Sequence, residues 1–169
     1  MRRSSMTLFS DPTCQFSHRV RIVLAEKGVT VEIENTQTDC VTDEILEANP
    51  YGTLPTLVDR DLALYKSTVI MEYLDERFPH PPLLPVYPVS RAESRLWIYR
   101  IERDWCSLIP KIEVQDSERA RTELRDSIIS IASIFDEMPY FMSEEFTLVD
   151  CCLAPLLWRL PSYKIPLPK

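Results

Sequence analysis

Glycine is almost absent, at 2 residues in 169. Phosphate-cradling loops of the GxGxxG or Walker type need several glycines, so the common nucleotide-binding motifs are excluded. Histidine is equally scarce, at 2 residues, and the 5 cysteines (Cys14, Cys40, Cys106, Cys151, Cys152) contain no CxxC pair. Zinc ligands usually come in spaced pairs, so no metal site is expected. No apolar run reaches the roughly 18 residues of a transmembrane helix. After the basic start Met1-Arg2-Arg3-Ser4-Ser5, the apolar stretch is only Met6 to Phe9. That is too short for a secretory signal core. Free thiols in such a chain point to a reducing compartment, and the expected location is cytoplasmic. A basic surplus is also missing: 19 Lys and Arg against 26 Asp and Glu leave a net charge of −7. Phosphate neutralisation needs clustered positive charge, so no direct contact with nucleic acid is expected.

What is present is an ordinary globular composition, 45% hydrophobic and 27% charged. It suits one domain or two small ones. Met6 to Ser10 reads as a strand and Ser17 to Lys27 as a helix, with Val20, Val23 and Leu24 on one face. Gly28 stops that helix. Val29 to Asn35 alternates as a strand, and Asp43 to Asn49 makes one or two helical turns with Ile45 and Leu46 inward. Thr56 to Asp59 and Leu62 to Tyr65 are short strands joined by a tight turn at Arg60-Asp61. Ser67 caps a helix that runs to about Phe78. The order βαβ, short helix, ββα describes a small mixed sheet covered by helices.

Phe78 to Val89 holds Pro79, Pro81, Pro82, Pro85 and Pro88. It reads as a stiff, extended linker. Beyond it the pattern is helical. Ile98, Ile101, Trp105 and Leu108 share one face, as do Ala120, Leu124, Ile128, Ile131 and Phe135, with Met138-Pro139 as the stop. Phe146 to Leu160 is apolar nearly all round and reads as a buried helix. Trp97, Trp105, Trp158, Cys151 and Cys152 are expected in the core. The tail from Pro161 to Lys169 is expected to be extended. Asp39, Asp43, Glu44 and Glu47 read as a solvated acidic face.

Three segments give this arrangement a family resemblance. Asn49-Pro50-x-Gly52-x-Leu54-Pro55-Thr56-Leu57 resembles the cis-proline segment of the glutathione S-transferase superfamily. Thr147-Leu148-Val149-Asp150 resembles that superfamily's buried Ser/Thr-x-x-Asp cap, in which Thr147 and Asp150 satisfy free backbone amides at a helix start. Cys14-Gln15-Phe16-Ser17-His18-Arg19 lies between the first strand and first helix, where the superfamily keeps its catalytic residue. The resemblance implies a thioredoxin-like N-terminal domain (6–78), a proline-rich linker (79–89) and a helical-bundle C-terminal domain (90–169), an α/β part followed by an all-α part. The segments VRIVLAEKGV, PTLVDR, IMEYLDERFPHPPLLPVYPVSRAESRL and FTLVDCCLAPLLWRLP are similar to the stringent starvation protein A family. Members of that family are bacterial proteins of this fold that associate with RNA polymerase. They continue with further helices, so the helical domain is expected to be incomplete here.

The resemblance also assigns roles. Leu54 and Pro55 would face the glutathione cysteinyl moiety, and the γ-glutamyl group would meet Lys66 and Ser67. Glutathione-using relatives keep an acidic or amide residue before that serine, and Lys66 would repel the substrate's amino group. Cys14 argues the other way. It stands where omega-type transferases keep a nucleophile, at a helix N-terminus that favours thiolate, with His18 or Arg19 able to add to it. Position 17, where a resolving cysteine would belong, is Ser17, so only monothiol chemistry is open. In the stringent starvation protein A family the proline-histidine-proline motif, here Pro79-His80-Pro81, is the surface needed for action on transcription. Pro82, Tyr87 and Arg77 are close enough in sequence to complete it. The expectation is therefore a non-enzymatic regulator without cofactor that binds RNA polymerase holoenzyme, σ subunit included. It would act as a two-fold homodimer or as a heterodimer with a paralogue. The competing expectation is a glutathione-dependent thiol transferase using Cys14.

Overall fold

The computed structural model describes residues 6–168, so the basic start at positions 1–5 and Lys169 lie outside the described residues. The chain divides into two units, one ending at Pro82 and the other starting at Leu83. Among the described residues no helix is long and apolar enough to cross a membrane.

The first unit holds β1 (Met6–Ser10), α1 (Gln15–Glu26), β2 (Glu32–Asn35), α2 (Asp43–Ala48), β3 (Thr56–Asp59), β4 (Leu62–Tyr65) and α3 (Ser67–Arg77). Its four-stranded sheet has the order β2-β1-β3-β4. β1 runs parallel to β2 and antiparallel to β3, and β3 is antiparallel to β4. The inner strands carry the apolar payload: Leu8, Phe9 and Leu57 are buried, whereas β2 is exposed along its length. Val20, Val23 and Leu24 of α1 and Ile70, Met71 and Leu74 of α3 are also buried. Burying such apolar faces is the main favourable term in folding.

Three expectations change here. β2 begins at Glu32 rather than Val29. The reason is the end of α1: Gly28 takes φ +62, its N–H bonds Ala25 O, and Val29 N–H bonds Leu24 O at 3.0 Å. That is a Schellman cap, and it uses Val29 for the helix. In α2 only Ile45 points inward, with Leu46 46% exposed. Adjacent positions on a helix do not share a face. Ile45 packs with Phe9 and Leu54, joined by Val41 and Val58. Ser67 is the first helical residue of α3, and Lys66, at φ +69, precedes it as the flanking residue.

The second unit holds α4 (Pro88–Arg100), a π turn (Ile101–Trp105), a 3₁₀ turn (Cys106–Leu108), α5 (Ile109–Glu113), α6 (Glu118–Ser130), α7 (Ile134–Glu137) and α8 (Leu148–Arg159). α4 opens at Pro88, inside the stretch expected to be extended. Proline is well suited to the first helical position because its missing N–H would be unpaired there anyway. Ile98, Ile101, Trp105 and Leu108 are all buried. Ala120, Leu124 and Ile128 are buried too, but the stripe stops there and α6 ends at Ser130, well before Met138. From Ile131 the bonds tighten to i→i−3, as in Ile131 N–H to Ile128 O at 3.2 Å. Tighter turns rotate the later residues off the face, and Phe135 is exposed.

α8 buries Leu148, Val149, Cys151, Cys152, Leu153 and Leu156, yet Trp158 is 72% exposed. Trp97 is half-buried, so of the three tryptophans only Trp105 lies fully in the core. Apolar character favours burial but does not enforce it. The tail is not simply extended either. Tyr163 and Ile165 are buried, and the Arg121 Nε–H donates to Tyr163 O at 2.9 Å.

Candidate functional site

Register brings three of the predicted site segments to one edge of the first unit. Phe9 pairs with Thr56, and Thr56 with Tyr65. The residues just past that row are therefore Ser10 leading to Cys14, Pro55 with Leu54 before it, and Lys66 with Ser67. On the other side of β1, Thr36 N–H bonds Ser10 O at 2.9 Å, which adds the loop after β2 to the same edge.

Asp11, the residue that follows β1, organises this edge. Its carboxylate is buried and accepts from Thr13 N–H (2.8 Å) and Thr13 Oγ1 (2.7 Å). It also accepts from Thr38 N–H (3.1 Å), Thr38 Oγ1 (2.7 Å) and Cys14 N–H (3.3 Å). Burial pushes the Asp11 carboxyl up, but the hydrogen bonds from Thr13 and Thr38 together outweigh it and hold the pKa at about 2. Arg21 crosses the same loop, with Nη1 on Ser10 Oγ at 2.5 Å and on Asp11 O at 3.1 Å. Asp-x-Thr is an Asx-turn spacing, the local sequence signal for the Asp11 part of this network.

Cys14 is half-buried and flanks the N-terminus of the 12-residue α1 without using its side chain as a cap. The geometry leaves a thiol beside the positive end of a helix dipole, suited to single-thiol chemistry. Ser17 is fully buried and its Oγ accepts from Asp11 N–H at 3.1 Å. It serves as an internal hydrogen-bond partner of the loop. Arg19 is fully buried with its guanidinium 4.9 Å from the Phe16 ring centroid, and His18 is half-buried.

The Leu54–Pro55 peptide is cis, and both residues are buried. The loop before it is held by Asn49, itself buried, whose Nδ2 donates to Thr53 O (2.9 Å) and Thr56 Oγ1 (3.0 Å). Gly52 is needed there: it takes φ +59, and a Cβ would lie 3.1 Å from Leu46 Cδ2. Lys66 is exposed, whereas Ser67 is buried.

Pro79, His80, Pro81 and Pro82 are exposed at the far end of α3. Eleven helical residues separate them from Lys66, about 16 Å at 1.5 Å per residue. The His80–Pro81 peptide is also cis. Arg77 lies 5.4 Å over the Phe78 ring, and its Nε is 3.9 Å from Asp59 Oδ2, which also accepts from Tyr73 OH at 2.7 Å. Arg77 is thus part of a surface network as well as a candidate contact. Tyr87 belongs to the second unit, where it flanks the start of α4 and is 77% exposed.

In the second unit, Thr147 and Asp150 form both arms of a capping box at the start of α8. Asp150 Oδ2 accepts from Thr147 N–H at 2.9 Å, and Thr147 Oγ1 accepts from Val149 N–H at 3.2 Å. The other carboxylate oxygen accepts from Phe141 N–H at 2.9 Å, so the cap also anchors the preceding loop. Leu148 N–H bonds Leu83 O at 2.8 Å.

Residues 8–82 match the family model described as glutathione S-transferase, N-terminal domain. A stringent starvation protein A homolog from Pasteurella multocida is 62% identical over 162 residues, covering 94% of this chain and 76% of the relative. One from Coxiella burnetii is 56% identical over 171 residues, covering 99% and 82%. Among solved structures, rice GST1 in complex with glutathione superposes with a TM-score of 0.86 at 24% identity, covering 96% of this chain and 79% of that one. The omega 3C glutathione transferase of Trametes versicolor gives 0.83 at 24%, covering 93% and 70%.

Proposed function

The chain belongs to the stringent starvation protein A family and has the glutathione S-transferase fold; from that premise we propose that it regulates transcription by contact with RNA polymerase holoenzyme, σ subunit included. It works in the cytoplasm and does not turn over glutathione. The observation that carries this reading is the Pro79-His80-Pro81-Pro82 segment. It is exposed, and its backbone is stiffened by proline, so binding a partner there costs little conformational entropy. Arg77 extends the recognition surface, and Tyr87, exposed in the second unit, is a separate candidate contact. The acidic balance of the chain suits a basic protein partner.

Lys66 supports the non-enzymatic side of the reading. It is an exposed cation at the start of α3, where a glutathione amino group would be repelled. The vestigial site then consists of Cys14, Leu54, Pro55, Lys66 and Ser67. The reading includes a two-fold dimer, homodimeric or with a paralogue. Leu62 and Tyr65 of β4 and Val69 of α3 are exposed apolar residues of the kind an interface uses. A two-fold dimer presents the proline segment twice, which raises avidity.

The test is retention on purified holoenzyme, with glutathione titrated calorimetrically into the free protein. Replacing Pro79, His80 and Pro81 together by alanine is expected to abolish retention while the protein stays folded. Cys14→Ser is expected to retain it, with no heat from glutathione. The half-exposed thiol at the α1 N-terminus favours the second reading, a thiol transferase. Micromolar glutathione binding without polymerase retention would establish that reading instead.

A further inference from the structure

The proline segment has a backbone problem. Pro79, Pro81 and Pro82 carry no amide hydrogen, so His80 is its only backbone donor. Such a segment is fixed chiefly through its carbonyls, and another element must supply the donor. The structure contains that donor. Lys27 closes α1, its side chain is fully buried, and its Nζ donates to Pro81 O and, at 2.6 Å, to Asp75 Oδ1.

We infer that Lys27 is a positioning residue, whose buried ammonium ties the Pro79–Pro82 segment to the ends of α1 and α3 and so presents His80 in one place. This rests on the reading of that segment as a recognition surface. A buried ion pair is a poor way to gain stability, because apolar residues of similar volume often do as well or better. An apolar pair, however, has no donor for Pro81 O. The Schellman cap at Gly28 fixes where Lys27 leaves α1. Asp75 lies on the last turn of α3, just before Arg77 and the segment itself. Asp75 neutralises the ammonium and aims it, and the third member of the triad is the carbonyl of Pro81.

Lys27→Met alone leaves a buried carboxylate and risks unfolding. The informative protein is the double variant Lys27→Met with Asp75→Leu, which removes both charges and keeps the branched shape at position 75 and the chain length at position 27. It is expected to fold with native amide chemical shifts in β1, β3 and α1. The order parameter of the His80 N–H is expected to fall from about 0.85, a rigid backbone, to below about 0.6. Affinity for holoenzyme is expected to drop about tenfold, the loss that follows from ordering a loosened loop on binding. A folded double variant with an unchanged His80 order parameter overturns the tether. A lowered order parameter with native affinity overturns its role in recognition. If wild type itself is not retained by holoenzyme while the double variant loosens at His80, the tether stands and the polymerase reading fails.

Discussion

The two ends of the α/β unit are organised by opposite charges. At the Cys14 end, an anion gathers donors: Asp11 accepts from Thr13, Thr38 and Cys14. At the proline end, a cation gathers acceptors: Lys27 donates to Asp75 and to Pro81 O. The difference follows from what each loop keeps or lacks. The loop after β1 keeps its amides, and those of Thr13 and Cys14 converge on the carboxylate of Asp11 within the same loop. The segment after α3 has almost no amides because it is mostly proline, so only a donor from outside can complete it. A loop's composition thus determines the sign of the charge that holds it.

That contrast is open to attack at each end. The largest effect is expected for Lys27→Met as a single change. It removes the buried ammonium from Asp75 Oδ1 and Pro81 O and should cost about 3–5 kcal/mol by urea unfolding. Recovery of stability on adding Asp75→Leu would separate the cost of the broken ion pair from the loss of the tether. Asp11→Ala is expected to cost less, about 2 kcal/mol, because the freed donors are nearer to solvent. Its loss should also change the acid limb of stability. The folded pKa of about 2 lies below the ordinary 3.8. The contribution of Asp11 is therefore fully present above about pH 4 and lost as pH falls through about 2. Wild type should lose stability relative to Asp11→Ala over that window, measured as the urea midpoint against pH. The smallest effect is expected for Ser67→Ala. Ser67 lies at the first helical position and not at the flanking cap position, which Lys66 holds, so a change within about 0.5 kcal/mol is expected. A loss above about 1 kcal/mol would make Ser67 a true cap and place a third anchor at the Cys14 end.

How far each anchor could be read in the sequence depended on its range. The α8 cap was legible because Thr147 and Asp150 are three residues apart and make each other's bonds. Asp11 was not, because Thr38, 27 residues away, arrives only through the parallel pairing of β1 with β2. Lys27 was hidden further still: its partners Asp75 and Pro81 are 48 and 54 residues away. A lysine beside a glycine reads as an exposed helix end until the tertiary structure covers it. Likewise the apolar stripe from Ala120 to Phe135 reads as one helix, since periodicity counts residues and does not see a tightened turn at Ile131.

The sequence alone determined the order of strands and helices in the first unit, the capping box of α8 and the exclusion of common nucleotide motifs. Each of these follows from local periodicity, from a motif spanning a few residues, or from an absence. Tertiary structure alone decided that Trp158 lies outside and Arg19 inside, that the tail folds back under Arg121, and which charge holds each end of the α/β unit. Those outcomes depend on distant chain segments meeting. Burial and ion pairing belong to the place where segments meet, and a residue's identity sets only what it can do once there.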